Sequence, residues 1–82
     1  MANKGRSKGD LMRISAAAEA AGVSKQTVEY YILIGLIEPI RIPGKRSRYF
    51  DKDLVRRIRI IRRLNQSGYT LRSIRETYLR NR

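Results

Sequence analysis

The sequence predicts a mainly α fold: four short helices, with one two-stranded β-hairpin between the second and the third. Three observations predict it. Helix start and stop signals bracket "GVSKQTVEYYILIGLI", residues 22–37. Two prolines and an alternating pattern interrupt helical periodicity in "LIEPIRIPGKRSRYF". An apolar stripe at helical spacing then runs from Leu54 to Leu64.

Residues 1–12 read as a flexible basic arm, because Gly5, Ser7 and Gly9 between Lys4, Arg6 and Lys8 offer nothing to bury. The folded domain is expected over residues 13–82, and the arm is either a plain tail or a cationic extension that follows phosphates. Ser15 is placed to cap a first helix through "AAAEAA", whose alanines favour helix and let a neighbouring helix come close, and Gly22 ends it. After the three-residue turn "GVS", Ser24 caps a second helix and Gly35 stops it. Two short helices on a tight glycine-containing turn are the pattern of a helix-turn-helix, which two packed helices of any small bundle share.

Within the second helix Val28, Tyr31 and Ile32 fall at i, i+3, i+4 and are expected to face the core. Gln26, Glu29, Tyr30 and Leu33 then project from the other side, with Lys25 and Thr27 near the start. Pro39 and Pro43 exclude a helix beyond Gly35, Ile40 and Ile42 alternate with Arg41, and "PG" marks a turn. A hairpin with strands near 40–42 and 47–50 follows, its tip at Pro43–Ser47 crowded by Arg41, Lys45, Arg46 and Arg48. Asp51 caps a third helix, Asp53 complements its dipole, and Leu54, Ile58, Ile61 and Leu64 make a buried stripe, with Arg56, Arg57, Arg59, Arg62 and Arg63 on the other faces. Gly68 ends that helix, Thr70 caps a fourth, and Leu71, Ile74 and Tyr78 give it an apolar edge.

Charge points to the partner. The 82 residues hold 19 Lys and Arg against 7 Asp and Glu, a formal net charge of +12. Solubility in a small domain needs a net charge of only about 2 to 8, so the excess is read as attraction to a polyanion, nucleic acid before an anionic membrane or acidic protein. Without cysteine or histidine the chain lacks disulfides, thiolate or imidazole metal ligands and the usual general base. Its scattered carboxylates form no catalytic pair by spacing, and no phosphate-cradling glycine motif is present. Neither an enzyme nor a cofactor is expected. No apolar run approaches the roughly 20 residues of a membrane span, and the first ten residues lack the apolar stretch of a secretory signal. A cytoplasmic, nucleoid-associated protein without membrane contact is the expectation.

"ISAAAEAAGVSKQTVEYYILIGLIEP" followed by "RYFDKDLVRRIRIIRRLNQSGYTLRSI" resembles the DNA-binding domain of the MerR family of transcriptional regulators, element by element and in order, over residues 13 to about 75. The resemblance implies a winged helix-turn-helix that binds duplex DNA, and it adds RNA polymerase as a candidate partner. The family commonly has Arg where this chain has Glu29, which is read either as a reader of cytosine's amine or as a charge directed to solvent. Family members typically continue into a long dimerising helix and an effector-sensing region, neither of which the sequence shows, so a monomer, a weak dimer and an oligomer on DNA all stay open.

A helix-turn-helix inserts the start of its second helix into the major groove. That assigns Ser24, Lys25, Gln26, Thr27, Glu29 and Tyr30 to DNA, with Gln26 suited to adenine and Lys25 to phosphate or guanine. Tyr31 is assigned either to a phosphate or to the core. The wing brings Arg41, Lys45, Arg46, Arg48 and Tyr49 to the backbone or minor groove, and Arg13 with Arg56 and Arg57 holds a flanking strand. The alternatives are an excisionase-like or architectural DNA-bending protein, an RNA- or ribosome-binding module that lacks an aromatic stacking platform, and a protein-interaction module with a basic face.

Overall fold

A computed structural model describes residues 10–79, with only the backbone of Tyr78 and Leu79. Residues 1–9 of the expected arm, residues 80–82 and the expected apolar role of Tyr78 lie outside the described residues. The elements run α1 (Ile14–Ala21), α2 (Lys25–Leu33), β1 (Ile40–Arg41), β2 (Arg48–Tyr49), α3 (Lys52–Gln66) and α4 (Leu71–Ser73), the last continuing as a π-helical turn over Ile74–Leu79. This is the expected helix, turn, helix, hairpin, helix, helix order of a winged helix-turn-helix.

Local chemistry explains the boundaries. The Ser24 hydroxyl accepts the Thr27 amide at 3.0 Å, Asp51 Oδ1 accepts the Leu54 amide at 2.9 Å, and the Thr70 hydroxyl accepts the Ser73 amide at 3.0 Å. Each satisfies an amide of the first turn that has no partner inside its helix. Helix α2 closes by a 6→1 bond from Leu36 N–H to the Tyr31 carbonyl at 2.8 Å, beside a bond from Gly35 N–H to Ile32 at 3.1 Å. That motif needs a left-handed residue, and Gly35 supplies it with φ +83°. The same pair of bonds ends α1 and α3, from Val23 and Gly22 to Ala18 and Glu19, and from Tyr69 and Gly68 to Leu64 and Asn65.

Four boundaries or faces differ from expectation. Ser15 is no cap: α1 starts at Ile14, with Arg13 in the cap position making no side-chain bond. The reason lies one residue upstream, where Met12, assigned by sequence to the arm, exchanges two 2.8 Å backbone bonds with Phe50 and launches the helix directly. The strands are shorter than expected, with Ile40 opposite Tyr49 and Arg41 opposite Arg48, so Ile42 and Ser47 fall in the loop. On α3 the buried residues are Val55, Ile58 and Ile61, while Leu54 and Leu64 are half-buried because they stand in its first and last turns. Finally, the fourth helix is α-helical for three residues only.

One core unites these pieces. Ala17, Ala18 and Ala21 of α1, Val28 and Tyr31 of α2, Leu36 and Ile37 after it, Phe50 at the hairpin's root, the α3 residues and Ile74 are all buried. Alanine on α1 lets it pack tightly against both α2 and α3. The hairpin is too short to be stable alone, and Phe50, fully buried, is its anchor.

Candidate nucleic-acid interface

Burial of Val28 and Tyr31 leaves the opposite edge of α2 uncovered. Gln26 is exposed, Tyr30 is 50% and Leu33 79% exposed, and Lys25 stands exposed at the helix start. Ser24 and Thr27 are committed to the cap, their hydroxyls 2.9 Å apart. At roughly 100° per residue Glu29 and Thr27 then lie on opposite flanks of the Gln26–Tyr30–Leu33 edge. Each flank has its own structure.

On the Glu29 flank stands the hairpin. Arg48 Nη1 and Nη2 donate to Glu29 Oε1 and Oε2 at 3.0 and 2.9 Å, a two-point fork joining β2 to α2. The fork's hydrogen bonds, aided by the charge of Arg48 and of Lys25, hold the Glu29 carboxyl below the usual carboxylate range, and they raise the Arg48 guanidinium. The two charges expected to meet DNA or solvent are thus paired with each other in this structure, both Glu29 oxygens accepting from Arg48, while both side chains stay partly exposed. Arg41, Lys45 and Arg46 are exposed and make no ion pair among the described residues. The tip turns at Pro43–Gly44, closed by Lys45 N–H to the Ile42 carbonyl at 2.9 Å, with Gly44 at φ +83° where a type II turn requires it.

On the other flank an open cleft of about 340 Å³ separates α2 from the end of α3. Thr27, Tyr30 and the edge of Tyr31 face Arg62, Asn65 and Gln66 across it, with Leu71 also in its wall. Sequence reasoning put Arg62 merely on an outer face and did not single out Asn65 or Gln66, since nothing local says where the far end of α3 docks. Tyr31 is 4% exposed, so of its two expected roles the structure takes core packing. Burial pushes its phenol up, with Arg62 pulling the other way. A neutral phenol is thus favoured by the fold. Its contribution is whole below the ordinary value of about 10 and is lost as pH rises through the higher folded value. Melting temperature should therefore fall more steeply above about pH 10 in the native protein than in Tyr31→Phe, and parallel curves would contradict the linkage.

The remaining predicted cations divide. Arg13 is exposed, its guanidinium 5.9 Å from the centroid of the half-buried Tyr49 ring, so these two meet at the wing's root. Arg56 is open to solvent, with only a loose 3.7 Å approach to Asp53. Arg57 is half-buried and donates Nε–H to the Leu36 carbonyl at 3.3 Å, which braces the loop after α2. Among the described residues no group of three Asp or Glu side chains could hold a metal ion, and no helix is long and apolar enough to cross a membrane.

A tight-turned helix pair with an exposed second helix, flanked by a cationic hairpin, defines the winged helix-turn-helix class of DNA-binding domains. Within that class the chain belongs to the MerR family: the family model described as MerR HTH family regulatory protein matches residues 12–80. It is 36% identical over 62 residues to the mercuric resistance operon regulatory protein of Bacillus cereus, covering 76% of this chain and 47% of that protein. It is 38% identical over 66 residues to the transcriptional regulator HmrR of Sinorhizobium medicae, covering 79% and 44%. To the transcriptional regulator CueR of Bacillus subtilis it is 41% identical over 49 residues, covering 60% and 34%. The chain thus spans less than half the length of these curated relatives.

Proposed function

We propose that the chain reads duplex DNA in a sequence-specific manner as the DNA-binding part of a transcriptional regulator. The observation that carries this reading is the uncovered edge of α2, Gln26, Tyr30 and Leu33, between a hairpin with three exposed cations and a cleft holding Arg62. A major groove about 12 Å wide admits such a helix, and its base edges carry the sequence code. Gln26 supplies the amide that forms paired bonds with adenine, Tyr30 and Leu33 reach base or sugar surface, and Lys25 reaches phosphate or guanine. Arg41, Lys45 and Arg46 follow the backbone on the hairpin side, and Arg62 takes a phosphate on the cleft side.

This division of labour is tested by selecting bound sequences from random duplexes, with complex stoichiometry measured alongside. Gln26→Ala should select a different consensus, because a base-edge contact carries sequence information. Arg46→Ala should keep the consensus and weaken every site alike. A Gln26 variant that recovers the native consensus at undiminished discrimination would refute the reading role of α2. A single short symmetric site would support a conventional regulator, whereas a spreading, cooperative footprint would support an architectural role on the same surface.

A further inference from the structure

Four cations lie on or beside the hairpin, but they are not equivalent. Arg41 and Arg48 sit directly opposite each other in the two-stranded ladder, an arrangement in which like charges repel. Glu29 relieves it by taking both Nη groups of Arg48, leaving Arg41 to solvent. The two side chains are 29% and 43% exposed, so the fork stands at the rim of the α2 edge and is open to competition from a phosphate. Two-point geometry orients as well as attracts, and it links the hairpin to the very helix whose free edge would enter the groove.

We propose that Glu29 is a positioning residue that withholds Arg48 from the DNA backbone and uses it as a strut, so that the hairpin is carried at a set distance from α2. The proposal rests on the DNA-binding reading and deepens it: Arg41, Lys45 and Arg46 neutralise phosphates, and Arg48 does not. With the strut in place the hairpin and α2 must find their two grooves together, which favours duplexes whose groove spacing suits that distance. Without it Arg48 becomes one more sequence-blind cation on a looser wing.

The dependence of binding on salt counts neutralised phosphates, each adding about 0.9 to the slope of log K against log salt on B-DNA. Freeing Arg48 by Glu29→Gln should therefore steepen the slope by about 0.9, raise affinity for random duplex at low salt and reduce discrimination. Loss of a carboxylate could by itself favour DNA, so Arg48→Gln is made in both backgrounds. It should leave the native slope unchanged and should return the Glu29→Gln slope to the native value. The swapped pair, Glu29→Arg with Arg48→Glu, rebuilds the fork in reverse and should show the native slope. A Glu29→Gln protein that binds DNA with an unchanged slope would overturn the proposal, as would an Arg48→Gln effect of equal size in both backgrounds.

A measurement without DNA separates this from the broader reading. In the free native protein the Arg48 Nη protons should give resolved, slowly rotating resonances that collapse in Glu29→Gln. Native protein indifferent to duplex at low salt would sink the DNA-binding reading, and these resonances would still decide whether the strut exists.

Discussion

Phe50→Ala is expected to lower the stability of the domain by about 3–5 kcal/mol, the usual cost of emptying a fully buried phenylalanine site. Against a total of about 5–15 kcal/mol for a small domain, that brings the protein close to unfolding at room temperature. The position makes the upper half of the range the better expectation. Phe50 is fully buried, both its backbone groups pair with Met12, and the next residue, Asp51, caps α3. The buried Phe50 ring thus anchors the point at which its backbone joins the entry to α1 and its neighbour Asp51 starts α3. Urea denaturation followed by far-ultraviolet circular dichroism measures it directly. Phe50→Leu, which keeps most of the volume, should retain much of the lost stability. Equal loss from Leu and Ala would mean that shape at this site, not buried area, holds the hairpin down.

Such a node was only partly legible in the sequence. The alternation around Arg41 and the "PG" turn located the hairpin, but nothing local to Phe50 announces a partner 38 positions earlier, and Met12 reads as the end of a polar arm. Caps and glycine stops were legible because they act over three to six residues: Ser24, Asp51, Thr70, Gly22, Gly35 and Gly68 all stand where their local chemistry puts them. Ser15 failed for the opposite reason, since the long-range pairing of Met12 had already launched α1. The core face of α2 followed from periodicity, and so did Ile58 and Ile61 on α3, whereas Val55 joined the core and Leu54 and Leu64, in the end turns, are only half-buried.

The candidate interface divides along the same line. The exposed edge of α2 and the cations of the hairpin tip were placed by spacing and composition alone. Three assignments turned on distance between segments remote in sequence: Glu29 with Arg48, 19 positions apart, Arg57 with the Leu36 carbonyl, 21 apart, and Arg62 across the cleft from α2. In each case residue type predicted a charge in play, and only the packing of α3 and the hairpin against α2 decided what that charge meets. An arginine's flexible stem lets it serve either as a brace or as an outward cation, so sequence could not separate Arg57 from Arg56.

Raising monovalent salt from 50 to 200 mM is expected to weaken duplex binding by about a thousandfold. The figure follows from counting. Of the cations assigned to DNA, Arg48 and Arg57 already hold hydrogen-bond partners within the protein. Arg13, Lys25, Arg41, Lys45, Arg46, Arg56 and Arg62 are left, and if about six of these seven meet phosphate at once the slope of log K against log salt is near −5. A fourfold rise in salt at that slope multiplies Kd by about 10³. Fluorescence anisotropy with a labelled duplex across this salt range measures the slope without assuming a site. A slope near −5 on random sequence as well as on the selected site would assign affinity to phosphate neutralisation and selectivity to α2. A value shallower than about −2 would mean that few of these cations meet phosphate at once, and the proposed seating of α2 between hairpin and cleft would then fail, because that seating brings both flanks to the backbone together.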